Sequence, residues 1–480
     1  MRDEIAGVRF ASMNYRTRAG CDWRDGAAFL TKGANGRGML PRPFRIGILF
    51  MYALYSALLA LILVLTLPYW LLQMMRHGKY RAGLRQRFGA VPAALARRGE
   101  EPLIWIHAVS VGEVVAVSAV VAGLRQKLPT HRVVVSTTTS TGQKLALGRF
   151  DGDDVFYFPL DFAFAIRPYF NVLRPRLVVV VETEFWPNFL RLAKQSGARI
   201  AVINCRISNR SLPGYRRLRL WLPKLLERTL ANVDCFLAQT DEDRRRLVEI
   251  GAREGKVMVA GNLKFDVAPP VLPKIVSSLG ENLAYSGAGP VLVCGSTLEG
   301  EEGSLLSAFR NILANHPKAV MVLAPRHPER FAEVAALVES LGFPLWRRSL
   351  WSGDLVAGGI FLVDSIGELA ALYSLATVAF VGGSLVPRGG HNILEPALYG
   401  VPIVTGNHYE NFRDVVNFFV RRNAVRIVGL AELPLVLMEL IDSGSERATL
   451  GRNALAALES QRGATDRTVR TLLELVGAAS

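Results

Sequence analysis

His391, Asn392 and Glu395 crowd one edge of a glycine-rich turn in the stretch VGGSLVPRGGHNILEPALYGVPIVTG, residues 381–406. The apolar run 377–381 reads as a buried strand. It breaks into a loop, 382–390, and a short helix is expected to start near Asn392. Glycines in such a loop permit positive φ and close backbone approach, and free N–H groups at a helix start favour an anion such as a phosphate. Glu395, one turn into that helix, can accept hydrogen bonds from sugar hydroxyls. A βα turn that needs glycine only for its geometry is the plainer reading, and the three polar residues on the same edge weigh against it.

Other chemistry-bearing residues also stand where apolar runs end. Glu113, in HAVSVGE (107–113), lies at the mouth of a strand-to-helix turn. A carboxylate there can act as general base toward an incoming hydroxyl, or simply complement the helix dipole. Glu182 and Glu184, in VETEFWPN (181–188), can tune one another's proton affinity or cap the helix that follows. Lys264, in GNLKFD (261–266), can neutralise charge developing on a leaving group, although a lone lysine in a connecting segment is usually solvated. Pro325, Arg326 and His327 end another strand where a phosphate could sit, and Gly367, Glu368 and Leu369 begin a helix whose backbone could contact a base or ribose. Each motif is weak alone; their common placement at strand ends strengthens them.

The elements that must position these residues alternate from Leu103 onward. Expected strands are 103–108, 132–137, 155–158, 177–181, 199–203, 235–238 and 257–259, with helices at 113–128, 166–173, 186–195 and 241–250. A Pro/Gly-rich segment, 267–290, precedes a second series of strands at 291–294, 320–323, 360–363, 377–381 and 402–404. Continuous Val/Ile runs separated by helices indicate parallel sheets covered on both faces. The expectation is an α/β chain of two Rossmann-like halves, with ligands beyond the carboxyl ends of the strands. No GxGxxG follows the opening strand, so a nicotinamide or flavin site is not expected. Asp151, Asp153 and Asp154 read as a solvated turn, and no metal site is expected.

The 480-residue chain is 50% hydrophobic with a formal charge of +16, which rules out disorder as its main theme and implies an acidic partner. Its arginines are scattered and no nucleic-acid recognition motif accompanies them, so nucleic acid is not expected. Cys21, Cys205, Cys235 and Cys294 lack disulfide or zinc spacing, as in a reduced compartment. Residues 1–43 show no periodicity and read as a disordered extension or as an upstream start wrongly assigned, with Met39 as the alternative. No charged residue falls between Arg45 and Arg76, so 44–75 is expected to form a membrane helix that spans the bilayer or lies in it. Arginines on both flanks favour the C-terminal side as cytoplasmic only slightly.

SVGE (110–113), ETEFWPN (182–188), GNLKFD (261–266), APRHPER (324–330) and GGHNILEP (389–396), in this order, resemble the 3-deoxy-D-manno-octulosonic acid (Kdo) transferases of lipopolysaccharide assembly. The resemblance runs from about Phe44 to the C-terminal helices. It implies a GT-B fold: an acceptor domain at 76–266, a linker at 267–289 and a donor domain at 290–480, facing each other across a cleft. It also implies inverting, metal-independent transfer of Kdo from CMP-Kdo to the lipid A precursor, without a cofactor, on the cytoplasmic side of a bacterial inner membrane. On the matching positions, Glu113 would be the proton acceptor, and Glu182 and Lys264 would stabilise the transition state. Pro325, Arg326, Gly367, Glu368, Leu369, Asn392, Ile393, Leu394 and Glu395 would bind CMP. Ile393 departs from the proline expected in many relatives. The anionic, acylated acceptor would account for the membrane helix and for basic residues such as Arg76, Lys79, Arg81, Arg85, Arg87, Arg206, Arg210, Arg216, Arg217 and Arg219, which could hold lipid phosphates. The competing expectations are another GT-B enzyme that builds a glycolipid from a UDP-sugar, and a tethered binding protein without turnover.

Overall fold

The computed structural model describes residues 42–77, 82–96, 99, 101–267, 270 and 272–477. The expectation for the extension before residue 42 therefore lies outside the described residues, as do Cys21, Lys79 and Arg81. Arg42–His77 is one helix of 36 residues with Pro68 inside it. Within it, Phe50–Arg76 is the one stretch among the described residues long and apolar enough to cross a membrane. Leu61, Ile62, Val64 and Leu65 on it are each more than half exposed, so burial in a protein core does not explain their apolarity.

Seven parallel strands make the first sheet: β1 (Leu103–His107), β2 (Arg132–Thr137), β3 (Val155–Tyr157), β4 (Leu177–Val181), β5 (Arg199–Cys205), β6 (Cys235–Ala238) and β7 (Val257–Val259), in the order β3-β2-β1-β4-β5-β6-β7. The continuous apolar runs follow from burial on both faces. Along β1, Leu103 and Trp105 enter one core while Ile104 and Ile106 enter the other. Where β1 meets β4, Trp105 pairs with Val178 and the connections leave in opposite directions, which opens a crevice at the carboxyl ends of these two strands. Glu113 follows β1 and Glu182 follows β4.

The second sheet contains β8 (Val291–Thr297), β9 (Val320–Pro325), β10 (Leu345–Arg347), β11 (Gly359–Leu362), β12 (Val378–Val381), β13 (Ile403–Gly406) and β14 (Arg426–Val428). Its order, β10-β11-β9-β8-β12-β13-β14, puts the corresponding crevice between β8 and β12. The outer strands β10 and β14 were not expected: they are short, half-buried and carry Arg347 and Arg426, so they lack an apolar run.

Two segments pack differently from the domain limits read in the sequence. The 267–289 linker contains a helix, Lys274–Ser286, whose Ile275, Val276, Leu279 and Leu283 enter the second core. The last helix, Ala464–Val476, returns to the first half, with Ala464, Val469 and Leu472 packed in the core that holds Val117 and Val121. Asp266 fastens this crossing by accepting N–H bonds from Gly463 (2.7 Å) and Thr465. Phe265 meanwhile enters the second core, 5.2 Å between ring centres from Phe418.

Candidate active site

The helix Val111–Lys127 starts directly after β1, which places Glu113 in its first turn. Its carboxylate turns back along the helix, accepting from the Val109 N–H at 2.8 Å and the Ser110 hydroxyl at 2.9 Å. Only 7% of Glu113 is exposed. Burial, followed by the negative charge of Glu182, pushes its proton affinity up from 4.5 to about 7 despite those two hydrogen bonds. Glu184 is also raised, chiefly by burial, although the Trp186 indole donates to it at 2.7 Å.

Glu182 takes a left-handed backbone conformation, φ 61°, at the end of β4, and its N–H donates to the Ile203 carbonyl at 2.8 Å. A non-glycine residue tolerates this only when its surroundings impose it. The turn brings Glu182 Oε1 to 3.5 Å from Lys264 Nζ. Asn262 Oδ1 accepts the Lys264 N–H at 3.0 Å and Asn204 Oδ1 accepts the Leu263 N–H at 3.1 Å, so the lysine's short turn is held on both sides. Glu113, Glu182, Glu184 and Lys264 thus form one electrostatic group.

A second group gathers in the other half. Pro325 ends β9, and the Arg326 N–H donates to the Thr297 carbonyl at 2.9 Å. Burial, then the charges of Arg326 and His327, lower His391 to about 4, so its imidazole is neutral. Glu395 is raised by burial against the opposing effects of Asn392, whose amide donates to it at 3.3 Å, and of Arg326. The short helix starts two residues later than expected, Leu394–Ala397, and Asn392 Oδ1 takes the Leu394 N–H at 3.2 Å in a tight side-chain turn before it. Ile393 is fully buried and serves packing. The loop amides of Gly383, Ser384 and Leu385 do not await a ligand, since all three donate to the carboxylate of Glu301.

Gly367, at φ 94°, and Leu369, which opens the helix Leu369–Leu372, flank a third position, Glu368. Burial would raise Glu368, but hydrogen bonds from Arg348 (2.8 and 3.0 Å) and Ser365 outweigh it and hold it below the ordinary range. Its side chain is therefore committed within the protein. Among the described residues no hydrogen bond or ion pair joins Glu113, Glu182 or Lys264 to the positions at 325–326, 367–369 or 392–395. The two halves instead meet through Arg206, just after β5, and Asp414, on the helix Arg413–Val420, which form an ion pair.

Glu301, Arg348 and Asp414 escaped the sequence reading; their only signal is a charged residue just past a strand or at a helix start, which is common on any surface. Several of the scattered arginines have internal partners. Arg216 pairs with Glu249, Arg219 donates to the Glu249 carbonyl, and Arg87 donates to the Thr138 carbonyl at 2.5 Å beneath the Tyr157 ring. Among the described residues, no group of three or more His, Cys, Asp or Glu is placed to hold a metal ion.

The family model described as 3-deoxy-D-manno-octulosonic-acid transferase (kdotransferase) matches residues 82–267. A curated 3-deoxy-D-manno-octulosonic acid transferase of Haemophilus influenzae is 33% identical over 423 residues, covering 87% of this chain and 97% of that protein. The chain belongs to the Kdo transferase family. The transferase of Bordetella pertussis, 34% identical over 83% of this chain and 93% of its own, agrees. Among solved structures, the C-terminal CMP-Kdo binding domain of WaaA from Acinetobacter baumannii is 35% identical, with a TM-score of 0.37 over 39% of this chain and 97% of that one. A UDP-N-acetylglucosamine 2-epimerase, 14% identical with a TM-score of 0.50 over 80% of this chain and 98% of its own, shares the fold alone. This Kdo transferase is thus a glycosyltransferase of lipopolysaccharide biosynthesis with a GT-B fold, two parallel sheets of seven strands preceded by an apolar helix.

Proposed function

We propose that this enzyme transfers Kdo from CMP-Kdo to the lipid A precursor, lipid IVA, with inversion at the anomeric carbon and without a metal ion. The observation that carries the reading is Glu113, a buried carboxylate at the β1–β4 crevice whose proton affinity near 7 suits a general base. Glu113 takes the proton from the acceptor hydroxyl as its oxygen bonds to the anomeric carbon. The bond from that carbon to the CMP phosphate breaks, and CMP leaves with the electron pair.

Positive charge develops on the sugar and negative charge on the departing phosphate. Glu182 answers the first and Lys264 the second, and their 3.5 Å separation keeps both at one point. The Arg326 guanidinium holds the phosphate, and Pro325, which has no N–H to offer an anion, shapes the strand end beneath the nucleotide. Asn392, Leu394 and Glu395, braced by Ile393, meet the ribose, and the backbone of Gly367, Glu368 and Leu369 reads the base, since the Glu368 carboxylate is occupied by Arg348.

The helix Arg42–His77 would anchor the enzyme in a bacterial inner membrane with its sheets on the cytoplasmic side. Exposed Arg210 and Arg217, with Arg76 and Arg85, would meet the phosphates of the lipid acceptor or anionic lipid. The test is transfer from CMP-Kdo, generated in situ, to tetraacylated lipid A precursor, followed by product mass. Wild type should add Kdo, and folded Glu113→Ala should be slower by about two to four orders of magnitude. Thermal stabilisation of wild type by UDP and not by CMP would overturn the donor in favour of a UDP-sugar.

A further inference from the structure

We propose that Glu301 is a positioning residue for the donor: an internal carboxylate that sets the glycine-rich loop on which His391 and Asn392–Glu395 are mounted. The inference rests on the CMP-Kdo reading above for the identity of the donor, but not for the geometry. Glu301 lies just past β8, facing the loop after β12 across the crevice of the second sheet, and it is fully buried. Its Oε2 accepts from the N–H groups of Leu298 (2.9 Å) and Gly383 (2.7 Å), and its Oε1 from those of Ser384 and Leu385 (both 2.9 Å). Four N–H bonds to one buried carboxylate are charge-assisted and fix both loops together.

The adjacent Glu302 behaves differently, pairing with Arg330 at 2.6 Å, whereas among the described residues Glu301 has no cationic partner. The loop is shaped around it. A Cβ on Gly382 would come within 2.8 Å of Glu301 Oε2 and of the Ser296 carbonyl, so only glycine fits. Gly383 is left-handed at φ 68°, and a Cβ there would lie 2.7 Å from the His391 ring, so the imidazole occupies the space that the missing side chain leaves. The Gly390 N–H donates back to the Gly383 carbonyl at 2.7 Å. Ser384 Oγ donates to the Val381 carbonyl at 2.7 Å and accepts the Gly406 N–H at 2.8 Å, tying the loop to β12 and β13. A continuous path of short contacts thus runs from Glu301 to Gly390 and His391, which precede the donor-meeting residues directly in the chain.

Replacing the carboxylate by an amide turns an NH2 group toward backbone N–H groups and leaves them unpaired. In the full-length chain, Glu301→Gln should exchange amide hydrogens faster in peptides covering 382–395 but not in those covering 111–127. Its affinity for CMP should fall roughly tenfold to a hundredfold, and the KM for CMP-Kdo should rise while the acceptor KM stays put. Glu301→Asp, which keeps the charge but draws the carboxylate back from the four N–H groups, should shift the same quantities in the same direction, and it decides the matter if Glu301→Gln does not fold. Unchanged exchange in a folded variant, or faster exchange with unaltered CMP affinity, would overturn the assignment. If wild type binds no CMP, the donor reading fails, and the exchange of 382–395 still reports whether Glu301 sets the loop.

Discussion

Lys264 Nζ lies 3.5 Å from Glu182 Oε1, and about a third of each side chain is exposed. An ion pair this open contributes only roughly 0–1 kcal/mol to stability, so folding does not account for the left-handed turn that Glu182 adopts to reach it. The proposed mechanism offers another reason, since it places both residues at charge that changes during the reaction. Lys264→Ala should lower kcat by about two to three orders of magnitude while moving the melting temperature by no more than a few degrees. Steady-state kinetics with calorimetry checks this; a kcat within a factor of three of wild type would return Lys264 to the solvent.

Arg206 and Asp414 form an ion pair between the halves, with 37% and 43% of their side chains exposed. Its contribution to stability is accordingly modest, roughly 0–1 kcal/mol, and sensitive to salt. If the pair holds the halves in register, Asp414→Asn should reduce kcat/KM up to about fivefold, and the exchanged pair Arg206→Asp with Asp414→Arg should regain most of it. Failure of the exchanged pair to recover, with the single variants impaired, would make Arg206 a ligand contact instead.

The placement of Glu113 and Glu182 is legible in the sequence because each follows an apolar run, and a strand buried on both faces can be read from such a run alone; Lys264 follows β7, an edge strand whose run is equally apolar although Met258 and Val259 are exposed. The β10 and β14 edges are not legible, since a half-buried strand containing Arg347 or Arg426 has no such pattern. Nor is the final helix: the apolar stripe of 464–476 shows that one face is covered, without saying by which core. Glu301 is the clearest case. Its partners Gly383, Ser384 and Leu385 stand 82 to 84 residues away, and nothing local distinguishes it from a solvated glutamate at the start of a helix. The glycines at 382 and 383 are visible as glycines, but the reason for them, a buried carboxylate and an imidazole against their Cα atoms, exists only in three dimensions.

The buried ionisable groups give opposing pH dependences. Burial raises Glu113 from 4.5 to about 7, so between those values the folded state holds a proton that the unfolded state has released, and stability falls as pH rises through this window. The shift corresponds to something on the order of 3 kcal/mol above pH 7, at about 1.4 kcal/mol per unit. Burial lowers His107, stacked on Phe158, from 6.5 to about 3, so its contribution has the other sign: stability is present above 6.5 and lost as pH falls toward 3. Glu113→Gln should therefore be more stable than wild type at pH 8 and nearly equal to it at pH 4.5, while remaining inactive. Wild-type kcat/KM should climb with pH and level off above about 7, where the base is ionised. Urea unfolding of both proteins from pH 4.5 to 8 measures the divergence. Parallel stability curves would mean that the energetic cost of ionising Glu113 is not set by its burial, and would remove the physical ground for its role as the base.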